Sequence, residues 1–415
     1  MKTLGRLLAY LSLVMGGFLA AQLKPIFSPL WTTLLTPVKL LAVGLAPLWA
    51  VVGVVGALYG LRTGSSGVVV AGLVGALIAG RHMRRMITPP TDPFVAVFGA
   101  EWRAYIRADL LPRLPEQRWT PMLPEVPEPQ FERDVIYAQV PNGGGDLLCD
   151  LWQPPPGVVP SGLAYVYLHG GGWALADKDL LTRPIFRRLA AQGHVIMDVA
   201  YRQYPETNMG GILFDCKRAI AWMKANADHF GVDPDLIVVG GGSAGGQLAL
   251  LTAYTADHRD LTPPDLRRVD TSVRGVVGMY PVVDLKDYYR YNDYGALKFS
   301  NIVDVPDNRV VLENLLDGSP EVAPQLFELF SPVAHICPDM PPALLMIGAH
   351  DDAVPVAPVR SYAARLTRQG NQAVYVELPQ AEHGFDVFLP TLSPAAQAAL
   401  YDLSHFLALM ASKPR

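Results

Sequence analysis

A serine hydroxyl attacks a carbonyl carbon only if a base takes its proton and the backbone holds it clear of neighbouring side chains. Gly241-Gly242-Ser243-Ala244-Gly245 answers the second need, because glycines two residues either side of Ser243 permit a sharp strand-to-helix turn. Leu236-Ile237-Val238-Val239 offers a strand before the turn, and Gln247-Leu248-Ala249-Leu250-Leu251 begins a helix after it. Upstream, His169-Gly170-Gly171-Gly172-Trp173 ends another apolar run. Successive glycines there would let backbone N–H groups point at the oxygen that becomes negative during acyl transfer. Gly171 and Gly172 are the expected donors, with the amide of Ala244 as a third at the positive end of the following helix.

The orienting acid and the base should follow in the order serine, acid, histidine. His383, in Ala381-Glu382-His383-Gly384-Phe385, comes after the last good strand, and Asp351 directly follows the strand before it. His350 and Asp352 flank Asp351 and compete with these assignments. The other histidines, His82, His194, His229, His258, His335 and His405, read as surface or core residues.

These residues need a frame that brings them to one edge. From Phe131 onward, β-rich runs at Ala164–Leu168, Val195–Val199, Leu236–Val239, Val273–Met279, Ala343–Ile347 and Val374–Leu378 alternate with helical patterns such as Ile212–Phe230 and Val359–Gln369. That alternation predicts an α/β fold, a mostly parallel sheet with helices on both faces, preceded by antiparallel strands near Phe131–Val140 and Asp146–Trp152. In such sheets chemistry gathers at the carboxyl ends of the strands, where all the candidates fall. The insertion from Asp284 to Phe330, with its tyrosines, is expected to help form a pocket. Cys149, Cys216 and Cys337 are too far apart for a zinc site or disulfide framework and read as packing residues.

Taken together, the HGGGW run, Tyr201-Arg202 with Pro205-Glu206, GGSAGG, the G-x-x-D-x-x-V-P of Gly348 to Pro355 and His383-Gly384-Phe385 resemble the hormone-sensitive-lipase-like bacterial esterases of the α/β-hydrolase superfamily. The resemblance covers roughly residues 130–410. It implies the α/β-hydrolase fold, with Ser243 as nucleophile, Asp351 as acid, His383 as base, and Gly171, Gly172 and Ala244 as oxyanion donors. Tyr201 and Arg202 would be structural. Ala200 stands where that family has an aspartate. The implied reaction is carboxylic ester hydrolysis through an acyl-enzyme, needing neither cofactor nor metal. The same motifs also resemble those of kynurenine formamidases and membrane isoprenylcysteine methylesterases, so amide and prenylcysteine ester substrates stay open. A binding scaffold of another class is disfavoured by the intact Ser, Asp, His and Gly positions.

The first ninety residues differ in kind. Residues 1–91 hold eight basic and no acidic residues, whereas the remainder carries 26 basic and 38 acidic ones. An apolar, sparsely basic head on an acidic body predicts membrane attachment and offers nothing to nucleic acid. Leu40–Leu61 and Thr63–Gly80 are uncharged and long enough to span, with Leu7–Leu23 a third candidate and residues 25–38 an interfacial connection. Small residues at Gly67, Ala71, Gly75 and Ala79, and at Gly56 and Gly60, would let such helices approach closely. The cluster Arg81, Arg84 and Arg85 favours a cytoplasmic catalytic domain, but three spans would put Lys2 and Arg6 on the opposite side, so the side stays open. The expected organisation is a multi-pass membrane segment over 1–85, a proline-rich linker over 86–130 with a possible cap helix at Phe94–Leu111, and a catalytic domain over 131–412.

Overall fold

The computed structural model describes residues 2–23, 29–140, 144–293 and 307–412. Four N-terminal helices come first: α1 (Lys2–Ala20), α2 (Pro29–Gly44), α3 (Ala46–Thr63) and α4 (Ser66–Ile87). After the short helix α5 (Val95–Phe98) the chain enters β1 (Gln130–Gln139), β2 (Asp146–Gln153) and β3 (Ala164–Leu168). Strands β4 (Val195–Val199), β5 (Ile237–Gly242), β6 (Gly275–Met279), β7 (Ala343–Gly348) and β8 (Ala373–Leu378) follow. The helices among them are α6 (Arg183–Ala191), α7 (Met209–Ala225), α8 (Ala244–Tyr254), α9 (Leu285–Asp293), α10 (Asn308–Leu315), α11 (Pro324–Leu329), α12 (Val356–Arg368) and α13 (Pro394–Ser412).

The strands form one sheet in the order β1-β2-β4-β3-β5-β6-β7-β8. β1, β2 and β4 pair antiparallel, and β3 to β8 run parallel, as the alternation of strand and helix required. Every residue of β3 to β7 is buried. Their apolar runs, interrupted in β4 by the buried Asp198, are the pattern of strands covered on both faces. This is the α/β-hydrolase fold.

Three of the N-terminal helices, α1, α3 and α4, are long and apolar enough to cross a membrane. They meet through small residues: a Cβ on Gly53 would lie 2.6 Å from the Gly72 carbonyl, one on Gly56 2.7 Å from Ala9, and one on Gly75 2.4 Å from Ser12. A Cβ on Gly67 of the expected stripe would come no nearer than 3.9 Å to a neighbour, the Tyr10 hydroxyl, whereas one on Gly72 would lie 2.4 Å from the Gly53 carbonyl. The outer surface is apolar, with Leu7, Val51, Leu58, Leu61 and Leu77 all at least 60% exposed.

Two N-terminal expectations are corrected. The single span over Leu40–Leu61 is broken at Leu45, because Pro47 in the first turn of α3 lacks an N–H and cannot continue the ladder from α2. Residues 29–38, expected as a connection, open α2, which tolerates Pro37; residues 24–28 lie outside the described residues.

The chain after α4 is not a free linker, and the single helix expected over Phe94–Leu111 is not formed. α5 gives way to 3-10 turns at Trp102–Tyr105 and Leu111–Arg113 that pack on the enzyme body. Trp102 stacks on Phe94 and stands edge-on to His405 of α13, while Arg103 donates to the Tyr401 hydroxyl. Arg118 makes a two-pronged ion pair with the buried Asp402 and donates to the Met86 carbonyl at 3.1 Å. Leu19, Ala42, Val43, Ala46 and Met86 belong to the same continuous core as the sheet. Cys149 and Cys216 are buried, but Cys337 is exposed and does not pack.

Candidate active site

Ser243 sits between β5 and α8 with φ 57° and ψ −120°, a conformation that L-residues reach only under strain. Tight packing imposes it: a Cβ on Gly245 would lie 2.1 Å from the Leu168 carbonyl, so only glycine lets α8 start this close to the end of β3. The Ser243 N–H donates to the Met279 carbonyl at 2.9 Å, tying the turn to β6.

The loop after β3 lies beside this turn. A Cβ on Gly170 would be 3.4 Å from that of Ser243. Gly171 has φ +122°, and a side chain there would strike the Leu175 carbonyl at 1.9 Å. Among the described residues the N–H groups of Gly171, Gly172 and Ala244 donate no backbone hydrogen bond. Side chains brace the loop. His169 stacks on Tyr201, whose hydroxyl donates to the His169 carbonyl at 2.7 Å, and burial lowers the pKa of His169. The Trp173 indole donates to Gln247 on α8 at 3.0 Å, and Gln247 donates in turn to the Phe330 carbonyl. Arg202 pairs with the buried Asp215 through two 2.8 Å bonds.

Asp351 and His383, on the loops after β7 and β8, are brought together. His383 Nδ1 lies 2.9 Å from Asp351 Oδ2, and Asp351 Oδ1 accepts the N–H groups of Ala353 and Val354 at 3.0 and 2.7 Å. Burial works to lower the pKa of His383, but the charge and hydrogen bond of Asp351 outweigh it and the pKa rises. Among the described residues no hydrogen bond joins His383 to Ser243. Tyr280 stands near both, its ring 4.4 Å from that of His383 and close enough to Gly242 to meet a Cβ there at 2.9 Å. Of the two competing neighbours, His350 Nδ1 meets Lys39, and Asp352 lies close enough to Lys39 and Glu382 to act on their charges.

The described parts of the 284–330 insertion border the site; residues 294–306 lie outside them. Tyr288 stands edge-on to Trp173 and accepts from Asn308, whose side-chain oxygen lies where a Cβ on Gly172 would be 2.7 Å away. Tyr280 donates to the buried Asp386 at 2.6 Å.

A family model described as BD-FAE matches residues 149–366, more than half of the chain. The chain belongs to the BD-FAE family. Esterase LipC of Mycobacterium tuberculosis is 34% identical over 61% of this chain and 60% of its own length. Esterase LipQ of the same organism is 30% identical over 68% of this chain and 64% of its own. The chain therefore spans less than two thirds of these relatives. The apo form of Thermogutta terrifontis esterase 2 superposes with a TM-score of 0.54 at 26% identity, covering 70% of this chain and 98% of that one. The same esterase phosphonylated by sarin matches with a TM-score of 0.50 at 28% identity over 63% of this chain and 87% of that one.

In this BD-FAE chain, several residues at the site carried no motif. Tyr280 stands directly after β6, so the rule that chemistry gathers at strand ends could have found it. Gln247, Asn308 and Asp386 are placed by packing, for which spacing gives no signal.

Proposed function

We propose that the protein is a membrane-anchored serine hydrolase that cleaves carboxylic esters through an acyl-enzyme on Ser243. One observation carries the reading: a strained serine at the start of α8 lies beside a glycine loop whose Gly171 and Gly172 N–H groups donate no backbone hydrogen bond among the described residues, on the sheet edge that also holds the His383–Asp351 pair. With Nδ1 committed to Asp351, His383 has Nε2 left to take the Ser243 proton as Oγ attacks the ester carbonyl. The N–H groups of Gly171, Gly172 and Ala244 would receive the oxyanion, and the protonated His383 would release the alcohol. Water activated by the same imidazole then frees the acid. The esterase relatives support this choice of bond.

The lipid-facing reading rests on α1, α3 and α4, whose outer leucines and valines have no protein cover. At 1.5 Å per residue the 22 residues of α4 reach roughly 33 Å, a bilayer core. Lys2, Arg6 and Arg62 gather at the end of the bundle where Gly5 meets Tyr59, and Arg81, Arg84 and Arg85 at the end that meets the enzyme. A panel of short acyl esters, long acyl esters and formamides tests the reading. Ester turnover well above formamide turnover supports it, and formamide cleavage alone would replace it.

A further inference from the structure

Lys39 has no exposed surface, although it rides on an apolar helix. An ammonium withdrawn from water needs partners to replace its hydration. Those partners come from two bodies. On its own side, the Leu19 carbonyl accepts from Nζ at 3.0 Å and the Ala21 carbonyl accepts as well, so the cation caps the negative end of α1. From the catalytic domain come His350 Nδ1 at 3.0 Å and Glu382 Oε1 at 3.8 Å.

His350 precedes Asp351, and Glu382 precedes His383. The cation thus touches the residue before the acid and the residue before the base. The two loops are themselves joined, His350 N–H donating to the Ala381 carbonyl at 3.0 Å. A further tie comes from α4, where His82 Nδ1 lies 3.1 Å from Gln380 Oε1. Because Lys39 donates to it, His350 accepts through Nδ1 and is neutral; burial and then the Lys39 charge hold its pKa down to about 4.

We propose that Lys39 is a positioning residue for the acid–base pair: its ammonium, seated on the end of α1, holds the loops of Asp351 and His383 at the spacing their hydrogen bond needs. The N-terminal helices are then a working part of the active site as well as an anchor. The inference rests on the Ser243 acyl-enzyme reading. The charged and titratable groups around Lys39 are Glu382, His350, Asp352 and His82. Removing the cation takes positive charge from the neighbourhood of His383 and leaves Glu382, the residue before it, without its Lys39 partner, which favours the imidazolium.

The test uses the full-length protein in detergent micelles, with a short p-nitrophenyl ester and a fluorophosphonate probe. Lys39→Met should lower kcat by about tenfold or more, with KM changed by less than about twofold, and should move the acid limb of the pH profile upward. Lys39→Arg, which keeps the charge, should stay within about threefold of wild type. Adding Glu382→Gln to Lys39→Met should return the acid limb to its original place while kcat stays low. A folded Lys39→Met protein with wild-type kcat and pH profile overturns the proposal, and so does a loss with an unmoved pH profile that Lys39→Arg fails to repair. Should Lys39→Met not fold, the double variant decides: a low kcat supports the proposal and a wild-type kcat overturns it. A wild-type protein without ester turnover or labelling would defeat the underlying reading, whereas active wild type with indifferent variants defeats this inference alone.

Discussion

His383 meets Asp351 through a 2.9 Å contact to one carboxylate oxygen, while the other oxygen is pinned by the backbone of Ala353 and Val354. The acid cannot rotate without giving up two N–H partners, so the imidazole it faces is held in one tautomer and one orientation. Asp351→Asn keeps the shape but favours the wrong tautomer, and ester turnover should fall by about 10³–10⁴-fold. Asp352→Asn should cost far less. Steady-state rates of the two variants check this, and the reverse ranking would mean the neighbouring aspartate serves the base.

The same pair sets a pH dependence. The proposed mechanism needs neutral His383, and Asp351 raises its pKa above the ordinary value of about 6.5. Activity should therefore be lost as pH falls through a midpoint above that value, not below it. In Asp351→Asn the residual activity should show a midpoint moved to lower pH. A kcat/KM profile from pH 5 to 9 measures both, and a wild-type midpoint below that of free histidine would contradict the assignment.

Arg118 joins three elements at one point: the end of α4, the 86–130 stretch and Asp402 of α13. Asp402 has no exposed surface. Arg118→Met would leave that carboxylate buried without its counter-charge, a change that costs about 3–5 kcal/mol. A clear fall in Tm is expected, with the specific activity of the protein that remains folded little changed. An unaltered Tm would show that the pair is not a stabilising clasp.

Removal of residues 1–85 is expected to damage the enzyme as well as release it. Gly44 faces Phe388 and Leu389 just beyond His383, and Ala42, Val43 and Ala46 share the core of the sheet. A chain beginning at Met86 should aggregate or lose about tenfold or more of its turnover of a short soluble ester. Size-exclusion chromatography and ester assay test this. A monomeric, fully active truncation would show that the helices serve only as an anchor.

The strands were legible because continuous apolar runs bounded by Gly and polar residues are what a doubly covered parallel sheet demands. Ala164–Leu168 and Val195–Val199 fall where their composition put them. The serine turn, the glycine loop and the Asp351–His383 neighbours could be read because each needs special residues at short spacing. The N-terminal packing could not. Nothing local in the sequence distinguishes a lysine facing water from Lys39, whose partner His350 lies 311 residues away and Glu382 further still. The 94–111 stretch misled for a related reason: its aromatics recur at helical spacing and Trp102 does stack on Phe94, yet the contacts to His405 and Tyr401 of α13 are met by short turns and not by one continuous helix.

The central claim is that Ser243 carries the acyl group. The most direct measurement is mass spectrometry of the full-length protein after reaction with a fluorophosphonate, beside ester turnover by Ser243→Ala. A single adduct on the peptide containing Ser243 is expected, with none in the variant and a loss of turnover on the order of 10⁴-fold or more. An adduct on another residue, or near-normal hydrolysis by a folded Ser243→Ala protein, would contradict it.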